Sequence, residues 1–397
     1  MSILKHIQEM TIDNGSKIVL LLLDGLGGLP MEAGGLTALE AASTPNMDAL
    51  TAKASLGLST VVSPGFSPGS GPGHLALFGY DPLEHEIGRG VLEALGIGFD
   101  LRPDDVAIRC NFCTTDEAGL ITDRRAGRIP TEECAKRVEL LRQIKIPGVE
   151  IFVDPVKEYR FTVVLRGKGL SGDIHDTDPQ LTGVPILPVT VTAESPAAEK
   201  TAGILRQFAA EGRKLLNGHP PANNFTLRGV AMDPGLPRFP DIYGLKSAAV
   251  AVYPMYKGVS RLVGMDVIEH KAETPAEEFE VVKEHWDAYD FFFVHIKKTD
   301  SYGEDGNFEG RVSVIEAVDQ ALPALLDLKP DVLVITGDHS TPAALKRHSW
   351  HPVPVLLAAN SARRDLNTTF GETACITGSL GPIKHVGKYF SLPCQIA

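Results

Sequence analysis

The sequence is organised around one stretch near its C-terminal end, Val332-Leu333-Val334-Ile335-Thr336-Gly337-Asp338-His339-Ser340-Thr341-Pro342. Its apolar half has the composition of a buried β-strand. The strand is followed by a carboxylate and an imidazole, Asp338 and His339, and His348 comes nine residues later. Neighbouring side chains of an extended chain point to opposite faces, so these two are predicted to bind different ions of a close metal pair. Further ligands must then come from other parts of the chain.

Length and composition indicate an ordinary globular protein. The chain has 397 residues, 43% of them hydrophobic and 22% charged, which suggests two or three domains with sizeable cores. The net charge of −12 argues against nucleic acid as the main partner. No apolar run approaches the roughly 20 residues of a membrane span, and residues 1–16 lack the apolar region of a signal peptide. Five cysteines fit a reducing compartment, so a cytoplasmic location is predicted.

Two more apolar segments predict strands that are covered on both faces, as in a parallel sheet. Lys17–Leu23 runs directly into Asp24, and Phe291–Ile296 is followed by Asp300. Ligand sites of open α/β sheets lie beyond the carboxyl ends of the strands. The polar residues that follow all three strands are therefore predicted to meet at one edge of the sheet. Mixed carboxylate and imidazole ligands suit a divalent metal ion.

A loop rich in glycine and proline, residues 63–82, contains two candidate nucleophiles. Ser67 lies in a Gly-x-Ser-x-Gly pattern, but Pro68 has no N–H with which to form the oxyanion hole of that motif. Ser70 stands before Gly71 at the predicted start of a helix, where N–H groups and the helix dipole favour an anion. Ser70 is therefore the predicted nucleophile, and a flexible loop without chemistry is the alternative.

The middle of the chain has a different pattern of predicted secondary structure from the two ends. Short strand-like pieces surround one helical stretch, Glu194–Leu216. This predicts an inserted α+β domain, residues 99–261, within a core formed by residues 1–98 and 262–397. Its segment Asp123–Arg128 is rich in arginine, which binds phosphate and carboxylate groups well. A solvated turn with salt bridges is the alternative interpretation of that segment.

Several motifs occur together along nearly the whole chain. They are Leu23–Gly27, Pro68–Ser70 with His74–Pro82, Gly88–Gly90 with Leu92–Gly96, Asp123–Arg128, Thr299-Asp300, and Gly337–Pro342 with His348-Ser349. In this combination the chain resembles the archaeal-type, 2,3-bisphosphoglycerate-independent phosphoglycerate mutases of the alkaline phosphatase superfamily. The resemblance implies an α/β fold of alkaline-phosphatase type, with a mostly parallel sheet and an inserted α+β cap domain that binds the substrate.

The resemblance also implies an activity and a set of site residues. The activity is interconversion of 3-phosphoglycerate and 2-phosphoglycerate, in glycolysis and gluconeogenesis, through a phosphoserine at Ser70. The implied cofactors are two divalent metal ions (manganese, zinc or magnesium), without 2,3-bisphosphoglycerate. The first ion is assigned to Asp24, Ser70, Asp338 and His339, and the second to Asp300, position 304 and His348. A small phosphorylated substrate is the expected partner, and the oligomeric state is left open. The implied substrate-binding residues are Arg124, Arg125, Arg128, Arg228 and Lys257.

Three departures from the family pattern concern the site. The chain has Gly71-Pro72-Gly73 where the mutases have Asp-Thr-Ala, Glu304 where they have a histidine ligand, and Trp350-His351 where they have Gly-Asp. Glu304 is predicted to shift metal preference toward harder ions. Asp305 is an alternative ligand, and His351 is either an additional ligand or a loop histidine. The departures resemble a subgroup proposed to phosphorylate homoserine, so homoserine transfer is one alternative function. A phosphomonoesterase, in which water takes the phosphoryl group, is a second.

Overall fold

The computed structural model describes residues 3–12, 14–85 and 87–383. The chain divides into two compact units, a core unit of Met1–Glu86 with Pro237–Ala397 and an inserted unit of Ile87–Leu236. The predicted insertion, residues 99–261, begins and ends later in the chain than this inserted unit does. The segment from 237 to 261 belongs to the core unit because it contributes a strand to the larger sheet. The substrate-binding role of the inserted unit stays a prediction.

The strands within the described residues lie in two sheets. They are β1 (Ile18–Leu23), β2 (Ala54–Ser59), β3 (Val106–Thr115), β4 (Ile121–Asp123), β5 (Glu150–Lys157), β6 (Arg160–Arg166), β7 (Asn224–Ala231), β8 (Ser247–Ala251), β9 (Asp266–Val267), β10 (Phe291–Ile296), β11 (Val332–Thr336), β12 (Val353–Ala359) and β13 (Gly381–Ile383). The predicted strands around residues 17–23, 291–296 and 332–335 are all present.

The helices within the described residues range from 4 residues in α2 to 21 residues in α7. They are α1 (Ile3–Met10), α2 (Ala38–Ala41), α3 (Pro45–Thr51), α4 (Ser70–Leu77), α5 (Arg89–Gly96), α6 (Thr131–Leu141), α7 (Pro196–Leu216), α8 (Phe239–Tyr243), α9 (Pro254–Leu262), α10 (Pro275–Glu284), α11 (Lys298–Asp305), α12 (Phe308–Leu326) and α13 (Glu372–Ile376). Short 3-10 helices occupy Ala126–Arg128 and Trp286–Ala288. Among the residues that the structure describes, no helix has the length and apolar character needed to cross a membrane.

The core unit is built on the larger sheet, whose order is β13-β2-β12-β11-β1-β10-β8-β9. Strand β12 runs antiparallel to both of its neighbours, and the other neighbouring pairs are parallel. Strand β1 lies between β10 and β11, and all three are fully buried. Burial on both faces explains why these strands are continuous apolar runs instead of alternating ones. The predicted α/β class with a mostly parallel sheet is confirmed.

The inserted unit has its own antiparallel sheet, in the order β4-β3-β6-β5 with β7 also paired to β3. Its hydrophobic cluster combines alternate residues of β3 with the buried faces of α6 and α7. Val106, Ile108, Cys110 and Phe112 all belong to this cluster, as expected when side chains of a strand alternate between faces. A separate core of this size is what makes the insertion a domain of its own.

One buried carboxyl group in the core unit makes stability depend on pH. Glu278 on α10 is 3% exposed, and no described residue forms a hydrogen bond with its Oε2 atom. Burial, with repulsion from Glu277, raises its pKa from 4.5 to about 9. The folded protein therefore keeps a proton that the unfolded chain releases, so stability falls as pH rises from about 4.5 toward 9.

We expect Glu278→Gln to remove this slope, which amounts to about 3 kcal/mol between pH 4.5 and pH 7. Urea unfolding of parent and variant across this pH range measures it. Glu280→Gln, an exposed change on the same helix, serves as the control and should keep the parent's slope. Equal slopes for the parent and Glu278→Gln would contradict the prediction.

Candidate active site

The three predicted strand endings meet at one edge of the core unit's sheet. Leu22 of β1 is in register with His295 of β10 on one side and with Thr336 of β11 on the other. The residues that follow the three strands must therefore lie side by side. Asp24 follows β1 directly, and its backbone N–H donates to Ile296 O at 2.9 Å.

Asp24, Asp338 and His339 form the first group of candidate metal ligands. All three are buried, and their ligand atoms lie within 4.8 Å of one another. His339 Nε2 is 3.4 Å from Asp24 Oδ1 and 3.2 Å from Asp338 Oδ2. The Ser70 hydroxyl lies 3.4 Å from the same nitrogen. The structure thus brings together the four residues that the family resemblance assigns to one ion.

The expectation that Asp338 and His339 face opposite sides is wrong. It assumed that the strand continues through both residues, but β11 ends at Thr336. Gly337 makes the turn possible, because a Cβ there would lie 2.9 Å from Leu23 O. Beyond the turn, the N–H of Gly25 donates to Asp338 Oδ1 at 3.0 Å and directs the carboxylate toward Asp24.

Asp300, His339 and His348 form the second group, again with ligand atoms within 4.8 Å. His348 Nε2 is 3.4 Å from Asp300 Oδ1, and the two imidazole rings stack at 3.7 Å. His339 thus contributes to both groups. Glu304 lies at the edge of this group, with its Oε1 3.8 Å from His348 Nε2 and its side chain 57% exposed.

The neighbouring candidates are placed differently. Asp305 is exposed. His351 Nδ1 lies 3.0 Å from Ser349 Oγ, and its ring stacks on Trp350 at 4.4 Å. Within the described residues, none of Glu304, Asp305 and His351 belongs to a group of candidate metal ligands. These contacts favour the loop-histidine interpretation of His351.

Hydrogen bonds at Nδ1 leave the Nε2 atoms of His339 and His348 available as metal ligands. Thr341 Oγ1 donates its one proton to Asp300 Oδ1 at 2.8 Å, so the contact of 2.9 Å from His339 Nδ1 to Oγ1 must be donated by the ring. His348 Nδ1 likewise donates to Pro68 O at 3.0 Å. When neutral, both rings present the lone pair of Nε2 to the carboxylates. Burial lowers the pKa of His339 to about 4, which favours this neutral form.

The carboxylates of the first group lack partners for their facing oxygens. Asp24 Oδ1 and Asp338 Oδ2 are buried and have no hydrogen-bond partner within the described residues. Burial and the charge of Asp338 raise the pKa of Asp24 well above its usual range. Burial opposes ionisation of Asp338 too, but His339 and His74 outweigh it and hold that pKa low. A cation between the two oxygens would satisfy both atoms, so this donor set fits a divalent metal ion.

The nucleophile candidate begins a helix that packs closely on this group. Helix α4 starts at Ser70, with Gly69 as its N-cap. The backbone approaches Asp338 so closely that a Cβ on Gly73 would lie 2.5 Å from Asp338 O. His74 Nδ1 donates to Ser70 O at 2.7 Å and fixes the first turn. The N–H of Gly71 belongs to the first helical turn and has no acceptor within the helix.

Residues that the sequence did not single out complete the surroundings. Lys297 Nζ contacts Asp24 Oδ2 at 2.8 Å and Asp300 Oδ2 at 2.5 Å. Burial opposes its charge, but Asp24 and the other acidic neighbours outweigh this and raise the pKa of the ammonium. The Tyr256 hydroxyl also donates to Asp24 Oδ2. Lys297 could have been noticed from its spacing before Asp300, whereas Tyr256 arrives from α9 and has no local signal.

Arg311 of α12 ties the loops of the site together. It is 1% exposed, and its guanidinium donates to backbone carbonyl oxygens in three loops, counting as one of them the segment after β10 that runs into the first turn of α11. The acceptors are Gly25 at 3.0 Å, Leu26 at 2.9 Å, Gly27 at 3.4 Å, Thr299 at 3.3 Å, and Thr341. These loops follow β1, β10 and β11, so one side chain fixes the relative positions of all three strand endings.

The predicted substrate-binding residues fall into separate places. Arg124 binds both oxygens of Asp178, at 3.0 and 2.8 Å, and Arg228 lies 3.4 Å from the same carboxylate. Arg125 and Arg128 are exposed in the turn around the 3-10 helix. Lys257 belongs to the core unit, where its Nζ is 2.7 Å from Glu269 Oε2. The structure thus brings Arg124 and Arg228 together at Asp178. Lys257 has an acidic partner too, Glu269.

Comparison with known families identifies close relatives of the chain. The sequence profile of the family described as "2,3-bisphosphoglycerate-independent phosphoglycerate mutase" matches residues 51–222. A protein of Thermosipho africanus (strain TCF52B), named "Probable 2,3-bisphosphoglycerate-independent phosphoglycerate mutase", is 52% identical over 96% of this chain and 94% of its own. A protein of Thermus thermophilus with the same name is 49% identical over 97% and 96% of the two chains.

Solved structures share the fold over nearly the full length. The PH0037 protein of Pyrococcus horikoshii superposes with a TM-score of 0.81 at 32% identity, covering 96% of each chain. The cofactor-independent phosphoglycerate mutase of Thermoplasma acidophilum DSM 1728 superposes with a TM-score of 0.70 at 29% identity, covering 96% of this chain and 99% of that one.

Proposed function

This chain belongs to the 2,3-bisphosphoglycerate-independent phosphoglycerate mutases, and we propose that it interconverts 3-phosphoglycerate and 2-phosphoglycerate through a phosphoserine at Ser70. The observation that supports this most is the place of the Ser70 hydroxyl. Ser70 begins helix α4, and its hydroxyl lies 3.4 Å from His339 Nε2, beside buried carboxylate oxygens that have no hydrogen-bond partner among the described residues. A nucleophile next to a cation site, at the positive end of a helix, suits transfer of an anionic phosphoryl group.

Two divalent metal ions are the proposed cofactors. Asp24, Asp338, His339 and Ser70 would hold one ion, and Asp300, His348 and Glu304 the other. When bound, the ions would lower the pKa of the serine hydroxyl and neutralise charge on the phosphoryl group. Manganese, zinc and magnesium are the candidates. The shared position of His339 between the two groups of ligands supports a close pair of ions.

The chain's own residues account for the group transfer. In the first half-reaction, the bond from phosphorus to the glycerate oxygen breaks and the bond to Ser70 Oγ forms. The serine proton passes to the released glycerate oxygen, which becomes a hydroxyl, so protons balance. The second half-reaction reverses these steps on the other hydroxyl of the retained glycerate. The N–H of Gly71, which has no acceptor within α4, would stabilise the charge of the transferred group.

Phosphorus NMR of the metal-loaded protein with 3-phosphoglycerate tests this proposal. We expect 2-phosphoglycerate to appear without ATP, while the amount of inorganic phosphate stays constant. Steady release of phosphate would instead show a phosphomonoesterase. If the sample with 3-phosphoglycerate stays unchanged while a second one, with homoserine and ATP, gives phosphohomoserine, the mutase proposal is rejected.

Glu304 should influence which metal binds. Its carboxylate is a harder ligand than imidazole, so Glu304→His is expected to raise the affinity for zinc relative to manganese by about tenfold or more. Competitive metal titration measures the ratio. Asp305→His places an imidazole one residue further along the same exposed stretch and should leave the ratio at the parent value. A response to Asp305→His alone would assign the ligand to position 305 instead.

A further inference from the structure

Lys297 holds one oxygen of each of two carboxylates that belong to different groups of metal ligands. Its Nζ lies 2.8 Å from Asp24 Oδ2 and 2.5 Å from Asp300 Oδ2. The Tyr256 hydroxyl binds Asp24 Oδ2 as well. The Oδ2 atoms of both carboxylates are thus engaged by hydrogen-bond donors, and a protonated amine lies between the two groups of ligands.

The other oxygen of each carboxylate points toward the metal ligands. Asp24 Oδ1 lies 3.4 Å from His339 Nε2 and has no hydrogen-bond partner in the part of the chain that the structure describes. Asp300 Oδ1 lies 3.4 Å from His348 Nε2 and accepts the hydroxyl of Thr341. Each carboxylate therefore divides its two oxygens in the same way, with Oδ2 on Lys297 and Oδ1 toward one group of ligands.

We propose that Lys297 is a positioning residue that makes Asp24 and Asp300 single-oxygen ligands and so keeps two metal ions at two distinct positions. This inference rests on the proposed two-ion site. Without the ammonium, both Oδ2 atoms would face the space that Nζ occupies, within reach of one common atom. A metal ion could then bind there, or a carboxylate could bind one ion with both oxygens, and the arrangement of the pair would change.

The local fold explains why a lysine reaches this place. Lys297 directly follows β10, and it is the N-cap residue of α11 with a helical backbone conformation. It stands three residues before Asp300, a spacing that brings two side chains to the same side of a helix. Because β10 pairs with β1 in parallel register, Asp24 lies across from the same strand end. Lys297 Nζ is also 5.5 Å from the centre of the Tyr256 ring.

Manganese titration followed by electron paramagnetic resonance tests the proposal in solution. We expect the parent to bind two Mn²⁺ ions with a spin-coupled signal. Lys297→Met should still bind Mn²⁺ but lose or alter the coupled signal, and kcat should fall about tenfold or more. Lys298→Met removes the same charge from the adjacent exposed lysine and should behave as the parent. Lys297→Arg keeps the positive charge and N–H donors for both Oδ2 atoms, so it should restore part of the coupled signal.

The outcomes separate this inference from the proposed function. A parent-like coupled signal in Lys297→Met, with kcat within about twofold of the parent, would overturn the role of Lys297 and leave the two-ion site standing. A parent that binds a single Mn²⁺ would overturn both. If Lys297→Met does not fold, anomalous diffraction of the manganese-loaded parent decides the question. Lys297 Nζ should contact both Oδ2 atoms there, and direct ligation of manganese by either Oδ2 would overturn the proposal.

Discussion

Ser70→Ala should lower kcat for phosphoryl transfer by about 10³-fold or more, because it removes the atom that carries the phosphoryl group between the two hydroxyls. The change is small in volume and lies at the start of α4, where the side chain is only partly buried. We therefore expect the variant to keep the parent's fold and thermal midpoint. Initial rates of 2-phosphoglycerate formation, with circular dichroism as a check of folding, measure both effects.

The control for this change is Ser67→Ala, in the same loop. Ser67 is exposed, and the following residue, Pro68, has no N–H to stabilise an oxyanion. We expect this variant to retain a kcat within about twofold of the parent, since surface changes are usually small. Retained transfer in Ser70→Ala, or a comparable loss in Ser67→Ala, would contradict the assignment of the nucleophile.

Arg311→Met should destabilise the protein by about 3–5 kcal/mol, the largest effect on stability that we expect from a single residue of the site. The substitution keeps much of the apolar stem but removes donors from the buried carbonyl oxygens of the loops after β1, β10 and β11. Each buried acceptor left without a donor costs free energy. Urea unfolding of the metal-free protein measures the change in the free energy of unfolding.

Two variants sharpen this experiment. Arg311→Lys keeps the charge but has a single nitrogen that cannot reach all the loops, so an intermediate loss of stability is expected. Lys283→Met removes a surface cation whose partner, Glu280, is also exposed, and should change stability by less than about 0.5 kcal/mol. A loss below about 1 kcal/mol in Arg311→Met would contradict the role of Arg311 as the tie between the loops.

The features predicted well from the sequence are those whose signals are local. Strands β1, β10 and β11 are short, largely apolar and followed at once by polar residues, so both the strands and the candidate ligands Asp24 and Asp300 were visible in the pattern. The arrangement of the strand ends follows from the general geometry of parallel sheets. The family resemblance is confirmed by relatives of about 50% identity over nearly the whole chain.

What the sequence did not reveal depends on contacts between distant segments. The orientation of Asp338 and His339 depends on a turn at Gly337 that approaches β1, so a rule for extended strands does not apply there. Arg311 looks like a charge within an amphipathic helix until the loops around it are known. The C-terminal boundary of the insertion was placed too late, because β8 is a short strand that is recognised only through its pairing with β10.

The central claim, that the phosphoryl group passes through Ser70, is tested most directly by mass spectrometry of the protein stopped during turnover with 3-phosphoglycerate. We expect a peptide with one phosphoryl group on Ser70, present in the parent and lost when excess glycerate is added to the metal-loaded protein before quenching. Phosphorylation at another residue, or turnover with an unmodified Ser70 at every time point, would contradict the claim.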